Sequence, residues 1–423
     1  MWKKIGKAKY YLIAGSFFLH LRRFIWNSFV RVLKKIDSLF RKMDKLIGFL
    51  IRKIIYSKGE VENNKILVRT YDCRYSCNPK YIVEEMLRRD LPLDIVWVGP
   101  RKGRIPALPP AVRAVRNGSY SMYHEMATAK VWIDNALNCV WEGMPKKKTQ
   151  IYLNTWHGSL GIKRLSGGRT WMRRAKRCNK VTDFCITNSR FEEDVFHETF
   201  WPDIPYLRYG HARNDILFQN DRSQELRERV CAFFEIDVDT KILLYAPTFR
   251  DDGDMAWFDL DLDRIKEDLE ERFGGEWCIL VRMHYKNVSK KVRIESPWIR
   301  NASRYGDMQE LLAVADAGIT DYSSWAYDYI LTGRPLFLYV PDLEKYDQER
   351  GFYYPLETTP FPIAMDQEEL SGEIADFDEE LYTERCQSFL EEKGCMEDGH
   401  ACTRIVDKIQ ELIGISAPSE VIE

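Results

Sequence analysis

What most constrains this chain is an alternation of short apolar runs with amphipathic stretches that runs through its first half, stops, and starts again. In the first series, residues 65–70, 94–99, 131–135, 151–154 and 184–187 read as buried strands, with a helix over 79–89. After a polar stretch at 219–224, residues 242–245, 277–281, 317–320 and 336–340 read as strands, and 262–272, 308–315 and 325–331 as helices. Strands alternating with helices predict parallel sheets covered on both faces. A chain of 423 residues exceeds one ordinary core. The expected fold is therefore α/β, with two Rossmann-like, doubly wound domains facing a cleft. The acidic helices over 368–413 are expected to close the second domain and cross back to the first.

The start of the chain is different. Residues 1–58 hold 15 Lys or Arg against 2 Asp, whereas the remainder is acidic. The apolar run 10–21 is shorter than the ~20 residues a membrane span needs, and no small-residue cleavage site follows it, so it is read as retained. From Phe29, the residues Leu33, Ile36, Phe40, Met43, Ile47, Leu50 and Ile54 fall on one helical stripe. Lys34, Lys35, Arg41, Lys42, Lys45, Arg52 and Lys53 surround it. One-sign charge beside an apolar stripe disfavours a self-paired coiled coil and predicts an interfacial helix on an anionic membrane surface. Packing on the body of the protein is the alternative. No aromatic platform interleaves with these bases, so nucleic acid is not an expected partner. The ten cysteines lack zinc-ligand spacing and read as buried thiols.

Polar residues cluster where strands end. Trp156, His157 and Gly158 follow the strand 151–154, Arg282 follows 277–281, and Asp321 to Ser324 follow 317–320. Ligands bind doubly wound sheets at these ends. Gly158 permits close backbone approach, and Ser323 and Ser324 offer hydroxyl and N–H groups to a phosphate. Taken alone, Ser323 is a helix cap, a strand-end His is as often structural as catalytic, and residues 245–248 form a turn.

Together these strings resemble the CDP-glycerol glycerophosphotransferases of teichoic acid and related polymer synthesis. The resemblance rests on Asn154-Thr155-Trp156-His157-Gly158, Gly210-His211-Ala212-Arg213-Asn214-Asp215, Tyr245-Ala246-Pro247-Thr248-Phe249-Arg250-Asp251, Arg282-Met283-His284-Tyr285 and Thr320-Asp321-Tyr322-Ser323-Ser324, and it spans residues 130–360. It implies a GT-B-like fold, with an acceptor-side domain over 61–218 and a CDP-donor-binding domain over 219–415; the basic amphipathic segment over 1–60, read above from charge and periodicity, lies outside the resemblance, and residues 416–423 are read as a tail. It also implies donor contacts from Trp156, Gly158, Ser159, Arg213, Pro247, Thr248, Arg282, Met283, Ser323, Ser324 and Asp328, with His157 and His284 catalytic. Two departures bear on acceptor or polyol preference: Ser159-Leu160-Gly161-Ile162-Lys163 stands for the family's Thr-Pro-Leu-Lys, and His211-Ala212 for its Tyr-Pro.

The implied reaction moves glycerol phosphate or ribitol phosphate from CDP-glycerol or CDP-ribitol to a hydroxyl of a lipid-linked saccharide or growing polyol-phosphate chain. The place implied is the cytoplasmic face of the membrane, and the product serves a teichoic acid or capsule. His157 is the expected base, with His284 in the reverse assignment. Asp251 and Asp252 read as a solvated loop, or as Asp251 orienting Arg250, ahead of the alternative of a Mg²⁺ site, so no metal or other cofactor is expected. A nucleotide-sugar glycosyltransferase and a non-catalytic membrane-associated polymer-binding scaffold are the rival readings.

Overall fold

The protein is described by a computed structural model at residues 47–137, 145–165, 168–248, 260–283 and 296–415. His284, Arg250, Asp251, Asp252, Tyr285, the cations Lys34, Lys35, Arg41, Lys42 and Lys45, and the 416–423 tail lie outside the described residues. The chain divides into two compact units, Met1–Gly59 and Glu60–Glu423. In the first, residues 47–58 are helical and carry Arg52 and Lys53. Ile47, Leu50, Ile51 and Ile54 are each 41–55% exposed there, at the spacing of one helical stripe. Among the described residues no helix is long and apolar enough to cross a membrane.

The second unit contains two parallel sheets. The first consists of β1 (Glu62–Arg69), β2 (Asp94–Gly99), β3 (Val112–Arg116), β4 (Ala129–Asp134), β5 (Ile151–Asn154), β6 (Phe184–Thr187) and β7 (Tyr206–Arg208), in the order β3-β2-β1-β4-β5-β6-β7. The second consists of β8 (Lys241–Tyr245), β9 (Trp277–Val281), β10 (Ile299–Asn301), β11 (Ala317–Thr320), β12 (Leu336–Tyr339) and β13 (Ile363–Ala364), in the order β10-β9-β8-β11-β12-β13. Each sheet grows outward from its first strand in one direction and then reverses, so each has a topological switch point, at β1/β4 and at β8/β11. Runs such as Ile95–Val98 and Ile279–Val281 are fully covered because helices lie on both faces.

Four strands escape the sequence reading. β3, β7, β10 and β13 lie at sheet edges and are short or half exposed; in β3 only Val112 and Val115 are buried, and Arg113, Ala114 and Arg116 are exposed. The polar stretch at 219–224 opens a helix, Asn220–Phe234, and the helix expected over 325–331 is an α-helical turn, Ala326–Tyr329, continued as the 3₁₀ turn Ile330–Thr332. The last helix, Ala401–Ile413, does cross back: Ile405, Val406, Ile409 and Ile413 join the core of the first sheet. Its N-terminal N–H groups are held by the Asp215 carboxylate, which accepts from Ala401 at 2.9 Å and Cys402 at 2.7 Å. In the opposite direction, Leu160 and Ile162 insert into the core of the second sheet.

Candidate active site

The carboxyl ends of β1, β5, β8, β9 and β11 converge on a cleft of about 700 Å³. It is lined from the first sheet by Tyr71, Arg74 and His157, and from the second by Pro247, Thr248, Arg282, Met283, Ser323 and Ser324. Both switch points therefore open into one space, which is where doubly wound sheets hold ligands.

His157 is fixed by the turn that precedes it. Trp156 adopts left-handed backbone at φ 48°, uncommon for so bulky a residue. The turn is held by Asn154 Oδ1, which accepts from Trp156 N–H at 2.9 Å, and by Asn78 Nδ2, which donates to the carbonyls of Thr155 and Trp156. Trp156 packs against Phe196, Phe200 and Trp201. A Cβ on Gly158 would lie 3.0 Å from Trp156 Nε1, so glycine suits this turn. The His157 ring lies between Trp156 at 4.6 Å and Tyr71 at 4.9 Å. Its Nδ1 is 2.5 Å from the Asn135 carbonyl. A carbonyl only accepts, so Nδ1 carries the hydrogen and Nε2 the lone pair. Burial pushes the imidazole down to about 4; the Asn135 bond opposes this and the Arg213 charge adds to it. His157 is thus a neutral acceptor near pH 7.

Arg213 joins the two lobes. It is 3% exposed; Nε and Nη2 donate to Asp328 at 3.1 and 3.2 Å, and Nη2 also donates to the Gly158 carbonyl at 2.6 Å. Asn214 and Gln309 complete the shell of Asp328, at 3.2 and 3.0 Å. With its carboxylate so occupied, Asp328 orients Arg213 toward the cleft. Lys80 makes a second bridge between lobes, at 2.7 Å from Asp307 and 2.8 Å from Glu310.

On the second lobe, Thr248 N–H and hydroxyl both donate to Asp321, which ties the loop after β8 to that after β11. Arg282 donates to the carbonyls of Ala302 and Tyr305 and has no carboxylate in ion-pair range among the described residues. Burial and the facing Arg74 push its guanidinium down from its ordinary value. Met283 is buried, its N–H donated to Ser303. Ser323 does not cap a helix: the turn begins at Ala326 with no side-chain cap. Neither Ser323 nor Ser324 has a partner for its hydroxyl or backbone N–H among the described residues. The cleft thus pairs a neutral imidazole with a cation and unspent N–H and O–H donors, an arrangement suited to a phosphorylated ligand.

Trp156, Gly158 and Ser159 line a separate, smaller cavity of about 160 Å³ that adjoins the cleft at His157, Lys163 and Ser324. Sequence reasoning missed Tyr71, Arg74, Asn78 and Asn135. The loop 70–76 follows a strand end, as the recognised clusters do, and that position was the available signal.

The family described as CDP-Glycerol:Poly(glycerophosphate) glycerophosphotransferase matches residues 51–411. The teichoic acid poly(glycerol phosphate) polymerase of Staphylococcus epidermidis is 29% identical over 411 residues, 92% of this chain and 54% of that protein. The enzyme of the same name from Bacillus subtilis is 29% identical over 371 residues, 82% of this chain and 49% of that protein. The chain spans about half the length of these two curated relatives. A solved structure of the wall teichoic acid polymerase TagF superposes with a TM-score of 0.77 at 27% identity, covering 89% of this chain and 97% of that one.

Proposed function

Since the chain belongs to the CDP-glycerol:poly(glycerophosphate) glycerophosphotransferase family, we propose that it transfers glycerol phosphate or ribitol phosphate from a CDP-polyol to a hydroxyl of a lipid-linked saccharide or growing polyol-phosphate chain. CMP is released, and the product is a cell-surface polymer. The observation that carries this reading is the neutral His157, its Nε2 unpartnered among the described residues, in one cleft with Arg282, Ser323 and Ser324. The acceptor O–H gives its proton to Nε2 as its oxygen attacks the polyol-bearing phosphorus, and the bond to CMP breaks in line. Arg282, Arg213 and the serine donors stabilise the charge that spreads over the phosphoryl oxygens, without a metal in this reading. The exposed stripe of the 47–58 helix, with Arg52 and Lys53, supports work at an anionic membrane surface, on its cytoplasmic side where a CDP-polyol is supplied.

The test is product identity. Purified protein is incubated in EDTA with CDP-glycerol or CDP-ribitol, anionic liposomes and a lipid-linked saccharide, and the nucleotide released is identified. Acceptor-dependent CMP is expected. No CMP from either CDP-polyol, with a nucleoside diphosphate released in a parallel incubation with nucleotide sugars, would identify a glycosyltransferase instead.

A further inference from the structure

The smaller cavity beside His157 has a use that the donor does not require. Its wall is largely apolar, from Trp156, Phe191, Val195 and Phe196, and its volume, about 160 Å³ against about 700 Å³ for the cleft, excludes a nucleotide. Among the lining residues is one buried acid, Glu192, 2% exposed. Its Oε2 accepts from Asn188 N–H at 2.9 Å and meets His211 Nε2 at 3.0 Å, whereas its buried Oε1 has no hydrogen-bond partner among the described residues. A buried oxygen of this kind calls for a donor. A carboxylate only accepts, so it suits a hydroxyl and repels a phosphate. An apolar wall with one polar group that fixes orientation is the usual make-up of a small-ligand site.

We propose that this cavity is the acceptor subsite and takes the terminal, uncharged, hydroxyl-bearing unit of the acceptor, one of whose hydroxyls donates to Glu192. The inference rests on the transferase reading above and adds to it where the acceptor binds and which chemistry selects it. In-line displacement requires the attacking oxygen to approach from the side opposite the departing CMP. A cavity that meets the cleft at His157 provides an approach separate from the donor's own space. A neighbouring hydroxyl then passes its proton to His157 Nε2 while the new O–P bond forms and the electron pair of the broken P–O bond leaves on CMP. The assignment also gives a role to the segment 159–163, where the chain departs from its family's usual string: Ser159, Gly161 and Lys163 line this cavity. Gly161 brings the segment against the second lobe, since a Cβ there would lie 3.2 Å from Ser324 Cβ.

The experiment uses the full chain with CDP-glycerol as donor and a synthetic glycerol phosphate dimer as acceptor. Glu192→Gln removes the carboxylate; Leu165→Trp fills the cavity from its partly exposed rim, so one variant remains informative if the other misfolds. CDP-glycerol affinity is read by calorimetry, dimer binding without donor by saturation-transfer NMR, and the dimer KM by CMP release. Both variants are expected to raise the dimer KM at least about tenfold and to abolish the NMR signal of its terminal unit, with CDP-glycerol affinity within about twofold of wild type. An unchanged dimer KM, or donor affinity lost in parallel, overturns the subsite while leaving the transferase reading intact. A wild-type protein that binds neither CDP-glycerol nor CDP-ribitol and releases CMP from neither overturns the transferase reading itself, and the subsite with it.

Discussion

Replacing Asp328 by Asn removes one charge from a buried pair and leaves the other in place. Asp328 accepts from Arg213 twice and from Asn214 and Gln309, at 3.0–3.2 Å. The amide offers one acceptor oxygen where four N–H groups converge, and its own NH₂ confronts donors. Arg213 is 3% exposed and keeps only the Gly158 carbonyl at 2.6 Å and the weakly accepting Cys77 Sγ at 3.5 Å. Stranding one partner of such a pair costs about 3–5 kcal/mol. At a urea slope of roughly 3 kcal/mol per M, the unfolding midpoint falls by about 1 M or more. Tryptophan fluorescence reads it. A double variant, Arg213→Met with Asp328→Leu, removes both charges and is expected to regain much of that stability while remaining inactive, because the cation that Asp328 aims at the cleft is gone. A shift under about 0.3 M for Asp328→Asn, or full activity in the double variant, would refute the assignment of this pair as the link between lobe packing and phosphate binding.

Other consequences are as concrete. With the His157 imidazole held down to about 4, the acid limb of kcat/KM belongs near pH 4 rather than the ~6.5 of a free histidine; NMR titration of His157 is expected to show the same value, raised once an anionic donor binds. Glu397 is pushed up to about 7 by burial, and His211, where burial is outweighed by Glu192, is raised as well. Both folded values exceed the unfolded ones. The stability Glu397 confers is therefore full below about pH 4.5 and lost as pH rises through about 7, and that of His211 is full below its ordinary value of about 6.5 and lost as pH rises through its raised one. Glu397→Gln is therefore expected to flatten the thermal midpoint against pH over the first of these windows. In the 47–58 helix, changing the exposed Leu50 and Ile54 to Glu is expected to cut co-sedimentation with anionic liposomes at least about tenfold, without changing CDP-glycerol affinity.

The sheet cores were legible because strands covered on both faces must be apolar throughout; β2, β5, β6, β9 and β11 lie at the residues their sequences indicate. Edge strands were not, since a position at the sheet edge admits polar residues on either face, as with Arg113 and Arg116 in β3. At the site, His157, Thr248, Arg282 and the serines were legible because a strand, then a turn, places them at a carboxyl end. What fixes them was hidden, because it is distant in sequence: Asn135 sets the His157 tautomer, Asn78 holds the turn before it, and Asp328 orients Arg213 across 115 positions. His211 read only as a departure from a family string. Its pairing with Glu192 and the buried Glu397, 186 positions away, depends on the last helix returning to the first sheet.

The most direct test of the central claim is acceptor-dependent CMP release by His157→Asn, an exchange that can retain the bond to the Asn135 carbonyl but has no basic nitrogen. The account predicts a loss of about 10²–10⁴ in kcat with CDP-glycerol affinity within about twofold of wild type. A kcat within tenfold of wild type, at unchanged donor affinity, would show that His157 does not take the acceptor's proton.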